Sequence, residues 1–263
     1  MTGDRPIDAA PVVFGMNQWG RLLMHDFARS SSHCLITGVT RSGKSSLEYR
    51  LLAKLSSYPF VRVVGCDPSS LLLAPFASKG GKLVALGDDI GGHVRVLESC
   101  VEVMNQRLDW LLGRRMDKMV AFTPSRPLLV VVMEEELMLS QLAKASDAAS
   151  SPKGRDEARI KALLLRLLAG GAKCGIRVIL SMQRPDAEIM GGAARSQLET
   201  RFLLRSDEQG IRMAIPELDD SQRLQLSRAL PGVGFYMSPG VPPTLFRGIQ
   251  TGYRQYVQMI AEG

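Results

Sequence analysis

The chain has 263 residues, enough for one doubly wound domain to bury its own core. Its apolar fraction of 45% and charged fraction of 22% are those of a folded soluble protein, which excludes a disordered chain and a disulfide scaffold. A net charge of +7 suits a protein that meets a polyanion, and no stretch reaches the roughly 18 apolar residues that a membrane span needs.

At the N-terminus, MTGDRPIDAAPVVFG lacks the basic-then-apolar pattern of a secretory signal, so the chain is expected in the cytoplasm unless a separate subunit tethers it. Apolar runs at 33–37, 61–66, 82–86, 128–133, 177–181 and 201–204 predict strands. Helices are expected to start near Lys44, Gly91, Leu137 and Arg155, the second long and rich in Arg. Strands so uniformly apolar, alternating with helices, predict an α/β fold with a mainly parallel central sheet covered on both faces.

Two segments break the alternation. Residues 144–155, KASDAASSPKGR, are small and polar with Pro and Gly, which predicts a mobile surface loop between two helices. Residues 231–248, PGVGFYMSPGVPPTLFRG, predict a hairpin with strands at 235–237 and 244–246, and an amphipathic helix at 253–261 closes the chain. Cys34, Cys66, Cys100 and Cys174 lie far apart without a CxxC pair and read as reduced core residues. His25, His33 and His93 form no constellation and receive no chemistry.

Gly38-Val39-Thr40-Arg41-Ser42-Gly43-Lys44-Ser45 fits the pattern GxxxxGK followed by Ser or Thr, between an apolar strand and a helix-forming stretch. The glycines let the backbone curl so that its N–H groups face a phosphate chain, and the helix N-terminus adds a favourable dipole. Lys44 is expected to neutralise the β and γ phosphates of ATP, Ser45 to ligate Mg²⁺, and Ser46 to reach the α-phosphate. The apolar run 128–133 ends in Glu134-Glu135-Glu136. There Glu134 reads as the magnesium carboxylate and Glu135 as the base for the attacking water; an acidic helix N-terminus is the alternative. Asp67 reads either as a helix cap or as a second acid near the nucleotide. Gln183 reads either as a γ-phosphate sensor or as part of a turn with Arg184-Pro185.

Five stretches in order, HCLITGVTRSGKSS, Cys66-Asp67-Pro68, PLLVVVMEEE, CGIRVILSMQRPDAEIMGG and LPGVGFYMSPG, resemble the motor domain of the FtsK/HerA superfamily of DNA translocases. Within it, the FtsK-type proteins of cell division, sporulation and actinobacterial conjugation are the most similar. The resemblance implies a RecA-like P-loop NTPase that binds ATP and Mg²⁺ through Lys44 and Ser45, with Glu134 and Glu135 as the acidic pair and Gln183 as the sensor. It also implies a hexameric ring that pumps double-stranded DNA. It covers residues 1–263 as one motor domain, with no membrane segment and no winged-helix domain.

Two residues depart from the pattern. The family's acidic pair is usually Asp-Glu, and Glu134 adds a methylene. The family's Arg before the glutamine strand aligns with Ala172, leaving Lys173 or Arg166 as substitutes for a cation donated to a neighbour. The alternatives are a nucleotide- and DNA-binding module with little turnover, or another P-loop motor such as a phage DNA-packaging ATPase.

Overall fold

A computed structural model describes residues 6–81, 83–149, 155–185 and 192–262 of the chain. Its parallel half is built from β3 (Cys34–Thr37), β4 (Val61–Asp67), β5 (Val84–Leu86), β6 (Leu128–Met133), β7 (Ile176–Met182) and β8 (Thr200–Leu204). The antiparallel half is built from β1 (Pro11–Asn17), β2 (Leu22–Asp26), β9 (Val233–Ser238) and β10 (Val241–Gly248). All ten form one sheet in the order β2-β1-β10-β9-β8-β3-β7-β6-β4-β5.

Every residue of β3, β6, β7 and β8 is buried, because helices cover both faces of this half. Each Val, Leu or Ile so enclosed contributes about 1.5–3 kcal/mol of transfer free energy. The covering helices include α1 (Lys44–Ser56), α2 (Ala74–Ser78), α3 (Ile90–Gly113), α4 (Glu136–Ala149) and α5 (Asp156–Gly170). α6 (Gly192–Arg195), α7 (Glu208–Ala214), α8 (Asp220–Ser227) and α9 (Tyr253–Glu262) complete the set among the described residues. In the antiparallel half the core is aromatic: Phe14 meets Phe202 and Phe246 edge-on, at 5.0 and 5.4 Å between ring centroids.

The alternation of strands and helices agrees with the sequence, and the differences have local causes. The predicted loop at 144–155 is helical through Ala149. Asp147 there accepts the backbone N–H groups of Asp156 and Glu157 at 2.8 and 3.2 Å, so the end of α4 caps the start of α5. Residues 150–154 of that loop lie outside the described residues, as does Lys82 of the predicted strand 82–86. The hairpin β1–β2, which the sequence reading did not contain, turns at Gly20 with φ of 75°. α7 and α8 were also not anticipated, although α8 opens with a capping box between Asp219 and Gln222. All four cysteines are free and buried, as expected.

Candidate phosphate-binding site

The loop 38–43 leaves the C-terminal end of β3, whose parallel neighbours are β7 on one side and β8 on the other. It is pinned from two directions. Val39 donates its N–H to Arg205 O at 2.9 Å, and Ser42 O accepts the N–H of Gly232 at 2.7 Å. A Cβ on Gly38 would stand 2.6 Å from Ser42 Oγ and 2.9 Å from Leu204 Cβ, so the loop closes only over glycine there. Arg41, at the exposed tip, has φ of 63°.

Lys44 opens α1 and points into the sheet rather than to solvent. Its Nζ donates to Ser181 Oγ at 2.7 Å and lies 2.9, 3.2 and 3.3 Å from carboxylate oxygens of Glu135, Glu134 and Glu48. Burial opposes the ammonium's charge, but Glu48, Glu134 and Glu135 together hold its pKa above the ordinary lysine value. Burial, then the nearby Glu48, push the Glu134 carboxyl up to about 8 against the pull of Lys44. The upward direction is expected where buried acids outnumber the cation.

The predicted acids sit at the C-terminal end of β6. Glu134 is buried, with its N–H on Cys66 O at 2.9 Å, while Glu135 turns the chain into α4 with φ of 45°. A left-handed non-glycine residue costs on the order of 1–3 kcal/mol, and here it directs the Glu135 carboxylate at Lys44. Gln183 follows β7, and its Oε1 accepts from Thr40 Oγ1 at 3.3 Å, so the amide and the loop meet. Arg184 pairs with Asp207 at 3.3 Å instead of entering the site.

Ser45 is exposed at the second position of α1. Ser46 Oγ accepts the N–H of Thr251 at 2.8 Å, which ties α1 to the chain entering α9 and leaves the hydroxyl proton to donate. Asp67 resolves to a turn organiser, since its carboxylate accepts from Ser69 Oγ, Ser70 N and Leu73 N at 2.7, 3.0 and 2.8 Å. His25, His33 and His93 are buried away from the loop, each with a ring nitrogen hydrogen-bonded, to Tyr236, Leu168 and Gly87.

For a divalent cation the relevant detail is Glu134 Oε2, buried with no hydrogen-bond partner. Among the described residues no group of three His, Cys, Asp or Glu side chains is arranged to hold a metal. Mg²⁺ takes one or two protein oxygens and fills its octahedron from phosphates and water, a demand that Glu134 and Ser45 would meet.

Two contributors escaped the sequence reading. Glu48, on the buried face of α1, is in the lysine cluster. A cavity of about 280 Å³ beside the loop is lined by Gly43, Ser46, Gly232, Arg247 and Gln250 among others, so the last hairpin forms one of its walls. A larger cavity of about 570 Å³ surrounds Trp110 and Arg126 at the N-terminal ends of β4 and β6 and contains none of the predicted site residues.

A glycine-curled loop between a parallel strand and a helix, with its lysine facing a hydroxyl from the adjacent strand β7 and acids from the end of β6 beyond it, defines the P-loop ATPase fold. No family model matches the chain. It is 29% identical over 161 residues to Protein Tra of Streptomyces lividans, covering 60% of this chain and 25% of that one. It is 25% identical over 224 residues to the DNA translocase FtsK of Vibrio vulnificus, covering 72% of this chain and 21% of that one. The pCW3 conjugation coupling protein TcpA, solved in a monomer form with ATPγS, superposes with a TM-score of 0.73 at 16% identity. That match covers 100% of this chain and 71% of TcpA. The chain is thus similar to FtsK-type DNA translocases and to Protein Tra, and it spans about a quarter of the length of these curated relatives. No described helix is long and apolar enough to cross a membrane.

Proposed function

We propose that the chain is an ATP-driven motor domain that moves double-stranded DNA, working in the cytoplasm as a hexameric ring. The observation that carries this reading is the convergence on Lys44 of Glu134 and Glu135 from the end of β6 and Ser181 from β7, beside the loop. In it Lys44 grips the β and γ phosphates, and the backbone of Gly38, Val39, Thr40, Arg41, Ser42 and Gly43 cradles them. Ser46 donates to the α-phosphate, and the base and ribose occupy the cavity against Gly232 and Arg247. Ser45 and Glu134 hold the magnesium ion, which supplies positive charge to the phosphates. Glu135 orients and deprotonates the attacking water, and Gln183, held on Thr40, reports the γ-phosphate to the loop.

DNA as the partner is supported by the names of the sequence relatives and by the net charge of +7. A conjugative role, with recruitment by a membrane-anchored partner, belongs to the same reading. The test is ATP turnover by the full chain at low salt, with duplex or single-stranded DNA added. Duplex should stimulate at least tenfold and lose its effect steeply with salt. Equal stimulation by single strands would remove the duplex motor, and tight ATP binding without turnover would leave the binding-module alternative.

A further inference from the structure

The lysine of the loop is gripped by an acid for which the hydrolysis scheme has no use. Glu48 lies one turn beyond Lys44 on α1 and is only 2% exposed. Its Oε1 accepts from both Lys44 Nζ and Ser181 Oγ. Four acceptors thus crowd Nζ: Ser181 at 2.7 Å, Glu135 at 2.9 Å, Glu134 at 3.2 Å and Glu48 at 3.3 Å. An ammonium has only three N–H donors. A phosphate oxygen can bind Lys44 only if one of these partners lets go.

The three acids differ in what awaits them afterwards. Glu134 and Glu135 turn to the metal ion and the attacking water. Among the described residues Glu48 has no other cation within ion-pair distance, and its place on α1 keeps it beside Lys44. Once nucleotide takes the lysine, a buried carboxylate remains close to a polyanion, retained by the hydroxyl of Ser181. Repulsion between such charges is far less screened than at a surface.

We infer that Glu48 is a positioning residue that latches Lys44 in the empty site, opposes nucleotide binding and recaptures the lysine as nucleotide leaves, with Ser181 bridging the latch. The inference rests on the role proposed above for Lys44. Its consequence runs against the usual effect of damaging a binding site: neutralising a buried residue beside the loop tightens binding.

The test is calorimetric titration of the full chain with ADP and with ATPγS. Glu48→Gln keeps the shape and removes the charge, and it should bind both nucleotides at least tenfold more tightly while slowing turnover through product release. Ser181→Ala keeps both charges but removes the bridging hydroxyl and one of the four acceptors on Nζ, which loosens the latch, so nucleotide should bind severalfold more tightly. In the double variant the effect of Ser181→Ala should vanish. Unchanged or weaker binding by a folded Glu48→Gln overturns the latch. If that variant does not fold, Ser181→Ala decides alone, and unchanged or weaker affinity overturns it. Loss of the phosphate-loop reading itself looks different: Lys44→Ala would then bind nucleotide as well as the parent does, whatever stands at position 48.

Discussion

Gly232 lies against Gly43: a Cβ on Gly43 would fall 2.5 Å from Gly232 N, and Gly43 itself has φ of 96°. The loop and the final hairpin therefore meet backbone to backbone, sealed by the hydrogen bond from Gly232 N to Ser42 O. Gly43→Ala adds both a left-handed strain and a clash with main chain that cannot rotate away. It should cost about 2 kcal/mol or more in urea unfolding and abolish ATP binding. Native stability with intact binding would show that the two segments can part.

Lys44→Ala removes the cation shared by three carboxylates. Nucleotide affinity should fall by at least about a hundredfold, since the charge-assisted bonds to phosphate are lost. The empty protein should also lose stability, on the order of 3 kcal/mol, because the buried acids keep no counter-ion. Equilibrium binding and urea unfolding on the same sample measure the two effects. Full affinity in the variant would end the phosphate-loop assignment.

Glu135→Gln should bind ATP and magnesium normally and turn over about 10²- to 10⁴-fold more slowly, because the amide keeps the shape and loses the base. Glu134→Gln should instead weaken the magnesium dependence. Single-turnover kinetics over a magnesium titration separates the two, and an exchange of phenotypes would move the metal acid to position 135.

His25 and His33 supply a pH dependence unrelated to catalysis. Burial holds both imidazoles down to about 4. Val178 N donates to His33 Nδ1 at 2.9 Å and the other ring nitrogen meets Leu168 O at 3.0 Å, an arrangement that suits the neutral ring. The unfolded chain binds protons near pH 6.5, where the folded one does not. The stabilisation from the neutral rings is therefore complete above about pH 6.5 and is lost as the pH falls towards 4, by roughly 3 kcal/mol for each ring at most. Urea unfolding at pH 7.5 and pH 5.0 measures it, and His33→Phe should reduce the slope. A flat profile would show that the rings charge without penalty.

The proposed ring needs a cation given by one subunit to the next. Ala172 and Lys173 lie in the short turn that precedes β7, and Arg166 is held on Asn105 at 3.0 Å. The seven residues of β7 separate that turn from Gln183, a span of about 20 Å, so Lys173 cannot serve its own loop. Subunits carrying Glu135→Gln, mixed with subunits lacking both Arg166 and Lys173, should regain turnover that neither has alone. If both Arg166 and Lys173 prove dispensable in every mixture, the site is completed otherwise.

Read from the sequence alone, the phosphate loop, the all-apolar strands and the acids at the end of β6 are visible, because each depends on neighbours within a few positions. β6 starts and ends as its apolar run does, and α1 starts at Lys44 as the loop pattern requires. β1 (PVVFGMN) and β2 (LLMHD) carry apolar runs too, but their half-exposed, antiparallel place is not written in them: β2 forms the sheet edge and exposes Leu22 and Met24. Only the tertiary structure decides which strands become neighbours, and that decision sets the chemistry around Lys44. β3 beside β7 brings Ser181 to Glu48, which by sequence is one more charged residue on a helix. The final hairpin, joined to β8 through β9, brings Gly232 to Gly43 across nearly two hundred residues. Spacing along the chain carries local geometry, whereas the burial of an acid or the approach of two glycines belongs to the sheet order, which no short segment encodes.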